Sequence, residues 1–245
     1  MSKGFAIGIF LCLLVLSAQV WAETLRVAVA SNFVATLELI KQQFEKQHQH
    51  TIVIIKGSTG KLYAQIKHGA PYDVFLAADV ARPRLLEQDD MIAENSRYTY
   101  AVGQLVLWSP KYPDNILEIL KSGNFKKLAI ANPKIAPYGK AAIEVMQQLN
   151  VYQKSKPKLV YGENVAQAMQ FIQSGSAELG FVPLALVKPL SNSYWMIADN
   201  AHHKLEQQLV ILKSTSQLSL AISFVNFIKR DDIKALIKAQ GYDSL

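Results

Sequence analysis

The sequence predicts an α/β protein in which mainly parallel sheets are flanked by helices. Two observations predict this class. Short apolar runs with period-two alternation recur along the chain, and between them apolar residues fall at i, i+3, i+4 and i+7. The two patterns take turns, as βαβα units do. A third observation supplies the core. Half of the 245 residues are hydrophobic, and no repeat, low-complexity tract or long linker interrupts them.

The first 22 residues stand apart from this alternation. Lys3 gives a short positive start, Phe5 to Leu16 is an almost unbroken apolar run, and Val20 and Ala22 stand three and one residue before a cut. This is the pattern of a cleaved secretory signal, with Glu23 as the new first residue. The run is short for a membrane span, which needs about 20 residues. The single cysteine, Cys12, lies inside it behind Phe10 and Leu11, where a lipid-attachment motif has small residues, so Cys12 reads as a small hydrophobe. The remaining chain then has no thiol, which excludes disulfides, zinc-thiolate sites and cysteine nucleophiles together.

From Glu23 onward each element has its own justification. Leu25, Val27 and Val29 alternate as a strand, and Phe33, Leu37, Ile40 and Phe44 follow at helical spacing. Thr51 to Ile55 is a β-branched run bounded by Gly57, Leu62 to Lys67 a helix closed by Gly69, and Asp73 to Leu76 a third strand ahead of a helical stretch at Leu85 and Leu86. Tyr98 to Trp108 is a longer strand-like stretch able to pass from one domain to the next. Strands at Lys127 to Ala131, Leu159 to Tyr161, Leu179 to Val182 and Tyr194 to Ile197 then alternate with helices at Lys140 to Leu149 and Val165 to Ile172. A late strand, Leu209 to Leu212, precedes helical faces at Leu218 to Val225 and Ile233 to Ile237, with Gly241 as a C-cap. The ending reads as a return to the first domain.

The formal net charge is +7, and Lys3 is the only charged residue of the leading segment. A basic protein attracts anions at long range. The basic residues are scattered, without the clustered stripe that nucleic acid requires, and export argues against such a partner too. A solubilising surface charge explains most of the excess.

In parallel α/β sheets, ligands sit beyond the carboxyl ends of strands, where helices begin. Four such junctions are informative. Ala30-Ser31-Asn32-Phe33 offers Ser31 or Asn32 as an N-cap. Gly57-Ser58-Thr59-Gly60-Lys61 places two hydroxyls and free N–H groups at a helix start, an anion cradle that serves equally as a tight turn. It is not a P-loop, because two residues rather than four separate the glycines and Leu62 stands where a magnesium-binding hydroxyl would. Asn132 to Gly139 is shaped by Pro133 and Pro137 and can present the Tyr138 amide. Gly162-Glu163-Asn164-Val165 sets Asn164 as a cap and the Val165 amide as a donor. The junctions share one chemistry of hydroxyls and backbone amides with few counter-charges. That suits a small, fully ionised oxyanion, because a carboxylate solute recruits an arginine fork. Asp73 and Asp79 read as capping and turn residues, and the histidines as solvated, lacking the further ligands a metal needs.

ASNF, KGSTGKLYAQIKHGAPYDVFLAAD, ANPKIAPYGKAA and GENVAQA, in this order and spacing, closely resemble the periplasmic molybdate-binding proteins of ABC importers. The resemblance runs to the terminal AQGY. It implies the type II periplasmic-binding fold, two α/β lobes joined by two crossings, with lobe I at 23–100 plus 206–245 and lobe II at 101–205. It implies a molybdate or tungstate ligand held by hydroxyls and amides of Ser31, Asn32, Ser58, Thr59, Tyr138 and Val165, with no side chain bonded to the metal atom and no cofactor. Thr59 takes the key hydroxyl position of the glycine-rich turn, with Ser58 its neighbour. It implies a monomer that docks on a membrane permease and catalyses nothing. One branch of that family adds a later tyrosine hydroxyl. Here that stretch reads Gly180-Phe181-Val182-Pro183-Leu184, so the donor is absent. Two alternatives remain at this stage, a binder of another oxyanion such as sulfate and an enzyme on the same scaffold.

Overall fold

The computed structural model describes residues 23–191 and 193–243, so the expected signal segment, with Cys12, lies outside the described residues. The chain runs β1 (Thr24–Ala30), α1 (Val34–His48), β2 (Thr51–Gly57), α2 (Thr59–Lys67), β3 (Val74–Leu76), α3 (Ala81–Gln88) and β4 (Tyr98–Gly103). It continues through β5 (Leu105–Trp108), α4 (Ile116–Ser122), β6 (Leu128–Ala131), α5 (Pro137–Gln148), α6 (Tyr152–Ser155), β7 (Leu159–Gly162), α7 (Val165–Gln173), β8 (Leu179–Pro183), α8 (Leu184–Val187) and β9 (Trp195–Met196). It closes with β10 (Leu205–Ile211), α9 (Leu218–Ile228), α10 (Asp231–Ala239) and β11 (Tyr242–Asp243).

These strands form two sheets, ordered β11-β4-β10-β3-β1-β2 and β7-β6-β8-β5-β9. The stretch 98–108 is therefore two strands rather than one. Gln104 separates them, and they belong to different sheets. The chain returns to the first sheet between β9 and β10. The parallel part of each sheet is its βαβ portion, β2-β1-β3 and β7-β6-β8. The strands next to it pair antiparallel. Both sheets are thus mixed, since only the strands joined as βαβ units are constrained to run parallel.

Period-two alternation decides which helix each strand faces. Leu25, Val27 and Val29 of β1 point to α1 and α9, where Phe44 meets Phe224 and Phe227 edge-on with ring centres 5.3 Å from each. Ala28 points to the opposite face, where Leu62 of α2 and Leu86 of α3 pack with Phe75. The second sheet divides likewise. Leu128 and Ile130 face α5, while Ala129 faces α7. With both faces covered, the carboxyl ends of the parallel strands are the open positions.

Candidate functional site

The junctions after β1, β2, β6 and β7 converge on one cavity between the sheets. Ser31, Asn32, Ser58 and Thr59 line it from the first sheet, and Tyr138 and Val165 from the second. All six residues singled out from the sequence are brought together there. The walls close in tightly, leaving about 10 Å³ for the centre of a water-sized group. So tight a space favours a compact inorganic ion over a sugar, an amino acid or a peptide. A wider groove of about 660 Å³ lies beside β4 and α10, lined by Arg97, Lys234 and Lys238, but it gathers no strand-end junction.

Each donor is fixed locally. α1 begins with Phe33 at its N-cap and no side-chain cap, so neither Ser31 nor Asn32 caps it as expected. The reason is that the Phe33 N–H turns back to the Ala30 carbonyl at 2.9 Å, and the Asn32 side chain is engaged elsewhere. Asn32 Nδ2 donates to Gln207 Oε1 at 2.8 Å, which leaves the Asn32 backbone amide for the cavity. The Ser31 N–H donates to the Gly57 carbonyl at 2.9 Å, which joins the first two junctions and leaves the Ser31 hydroxyl. Ser58 and Thr59 are 2% and 1% exposed. Thr59 Oγ1 accepts from the Ala78 N–H at 3.1 Å, and its own proton remains to be donated. Ser58 Oγ is buried without any hydrogen-bond partner.

The second sheet supplies amides. The first N–H groups of a helix have no intrahelical carbonyl and carry the positive end of its dipole. Asn164 accepts from the Ala166 and Gln167 N–H groups at 3.0 and 3.1 Å, so the Val165 N–H is the one left at the start of α7. In α5, Pro137 has no N–H, and the Gly139 N–H donates to the Ala136 carbonyl at 3.0 Å, which leaves the Tyr138 N–H. Gly139 is required by close approach, since a Cβ there would stand 2.1 Å from the Ala131 carbonyl oxygen. The stretch Gly180 to Leu184, where one branch of the resembled family carries a tyrosine, does not line the cavity. Phe181 and Val182 are core residues, and Pro183 ends β8 away from the cavity.

No charged side chain lines the cavity. Lys61 sits at the rim in an exposed ion pair with Glu163, Nζ to Oε1 2.7 Å, and Lys140 pairs with Glu144 at 3.9 Å. The first pair runs from α2 to the loop before α7, and the Gly60 N–H donates across the same gap to the Ile135 carbonyl at 2.8 Å. The two halves therefore touch across the rim of the cavity. Tyr138 is the only titratable residue in the wall, and burial pushes its phenol well above the usual tyrosine range, so it stays neutral.

The other candidates have structural roles. Asp73 accepts from the Arg26 N–H and the Thr215 hydroxyl, each at 2.6 Å, and Asp79 accepts from the Arg82 N–H at 3.0 Å in the first turn of α3. His48 stacks on Phe44, and His203 reaches Glu144. Among the described residues, no three His, Cys, Asp or Glu are grouped to hold a metal ion. Sequence reasoning missed Gln207. A polar residue in an alternating strand reads as solvent-facing, yet Gln207 is fully buried behind the cavity wall.

Comparison with known proteins agrees with this architecture. The molybdate-binding protein ModA of Azotobacter vinelandii is 44% identical over 236 residues, 94% of this chain and 93% of its own length. The ModA of Rhodobacter capsulatus is 38% identical over 218 residues, 88% and 86% of the two chains. The solved periplasmic molybdate-binding protein of A. vinelandii superposes with a TM-score of 0.86 at 40% identity, covering 90% of this chain and 99% of that one. The fold is that of the type II periplasmic binding proteins. Residues 25–243 match the family model described as bacterial extracellular solute-binding protein, and the chain belongs to that family.

Proposed function

We propose that this protein is the periplasmic solute-binding component of an ABC import system, that its solute is molybdate, and that it accepts tungstate as well. The observation behind this reading is a small cavity between the two halves, walled by neutral hydrogen-bond donors. A fully ionised tetrahedral oxyanion offers only acceptors, and it needs neither the arginine fork of a carboxylate site nor an acceptor that tests for a proton. The names of the relatives point the same way. The donors are the hydroxyls of Ser31, Ser58 and Thr59 and the backbone amides of Asn32, Tyr138 and Val165. The wall offers no nucleophile and base, so the protein binds its solute without converting it.

The change of sheet at Gln104 and the return before Leu205 support two lobes, divided within a few residues of the expected boundaries at 100/101 and 205/206, that close over the anion. The closed form then docks on a membrane permease as a monomer, after export directed by residues 1–22. Size separates molybdate from sulfate. A ring of donors set for the larger anion leaves the smaller one with stretched bonds, each costing about 1–3 kcal/mol in a buried site.

A thermal-shift panel on residues 23–245 tests the assignment, because a ligand that binds only the folded state raises its stability by RT ln(1 + [L]/Kd). Molybdate and tungstate are expected to raise the melting temperature strongly, sulfate and phosphate weakly. A shift confined to sulfate or phosphate would overturn the molybdate assignment.

A further inference from the structure

We propose that Gln207 is the positioning residue that locks the two halves of the oxyanion site in register and thereby sets the size of anion it accepts. This rests on the oxyanion reading of the cavity. Gln207 does not line the cavity and acts only through residues that do. It lies on β10, the strand that brings the chain back to the first sheet, at the register shift between Gln207 and Gln208 in the pairing with β4.

The side-chain amide of Gln207 is divided between the two halves. Its Oε1 accepts from Asn32 Nδ2 at 2.8 Å, in the junction after β1. Its Nε2 donates to Tyr138 Oη at 3.1 Å, on the first turn of α5. Tyr100 Oη, from β4, lies 3.1 Å from both Gln207 Oε1 and the Ala77 carbonyl and ties the amide to the first sheet. The Asn32 carbonyl is held in turn by Tyr242 Oη at 2.8 Å. Gln207 is fully buried, and Asn32, Tyr100, Tyr138 and Tyr242 are each 2% exposed. Each bond is therefore made in a low-dielectric interior, where fixed dipoles hold their neighbours tightly.

Asn32 and Tyr138 thus each face two ways. Their backbone amides face the cavity and their side chains meet on Gln207. The chain Asn32–Gln207–Tyr138 fixes the span between a donor of the first sheet and a donor of the second. Tyr138 Oη is also nested on Gly103 at the crossing, where a Cβ would stand 2.0 Å from it. Removing the Gln207 amide frees both ends of the span. A ring that can contract gains nothing for the larger anion and stops discriminating against the smaller one.

Calorimetry with molybdate, and sulfate measured by competition, tests this in Gln207→Met, Tyr138→Phe and the double variant. Tyr138→Phe removes the hydroxyl but keeps the backbone donor and the packing of the ring, so it reports even if Gln207→Met folds poorly. Each single variant is expected to weaken molybdate about tenfold, the worth of one buried hydrogen bond, and to reduce the molybdate-to-sulfate affinity ratio. The double variant should be no worse than the weaker single variant. A purely structural role predicts a lower melting temperature with an unchanged ratio. Parent protein that binds molybdate, with both single variants within twofold of it in affinity and ratio, overturns the inference alone. Parent protein that binds neither anion overturns the reading of the site and the inference with it.

Discussion

Ser58 Oγ is buried without a hydrogen-bond partner, whereas Thr59 Oγ1, one residue on, accepts from the Ala78 N–H. The two hydroxyls predict different responses to removal. An unpaired buried hydroxyl costs the folded protein about 1–3 kcal/mol. Ser58→Ala should therefore leave the melting temperature of the ligand-free protein unchanged or raise it, while weakening molybdate tenfold or more. Thr59→Ala strands the Ala78 N–H as well as losing a donor, so stability and affinity should both fall. Melting curves of the free proteins beside calorimetric titrations separate the cases. The residue types of the site were legible because hydroxyls and caps cluster after strands. What each atom bonds to was not. The partner of Asn32 is 175 positions away, and the first-turn donors of α7 are counted out only once the Asn164 side chain is seen to take two of them.

Gly60, the second residue of α2, stands on one side of the cleft and faces the Ile135 backbone on the other. A Cβ there would come within 3.0 Å of Ile135 Cα and O, backbone atoms that cannot swing aside. Gly60→Ala should therefore press the two halves apart by a few tenths of an ångström. The expected outcome is about tenfold weaker molybdate binding with little change in the melting temperature of the free protein, checked by calorimetry beside melting curves. At this scale most elements were legible, because the β1, β3 and β10 strands alternate cleanly between two helix-covered faces. The break at Gln104 was not, since Tyr98 to Trp108 is apolar and strand-forming on both sides of it. The short helices α4, α6 and α8 were missed because one or two turns leave too few apolar positions to show a period.

For the whole molecule, the buried tyrosines at the crossing set a pH limit. Burial raises the Tyr100, Tyr138 and Tyr242 phenols above their ordinary range. Their neutral forms are favoured in the folded state, while the unfolded chain ionises them near pH 10. Their contribution is complete below about pH 10 and is lost as pH rises through the higher folded values. The urea midpoint should fall above pH 10, and Tyr242→Phe should show a shallower fall. Binding has no such dependence at neutral pH, because no group in the cavity wall titrates there. The scattered basic residues act at longer range, as a salt-screened attraction for anions.

The proposed site is a neutral cradle between two lobes that holds one molybdate. Isothermal titration of residues 23–245 with molybdate at pH 6.5 and pH 9, with tungstate, sulfate and phosphate as competitors, tests it most directly. The expected result is one anion per chain, the same affinity at both pH values, displacement by tungstate and far weaker displacement by sulfate or phosphate. Affinity that falls steeply between the two pH values, or heat only with sulfate, phosphate or a carboxylate, would contradict it.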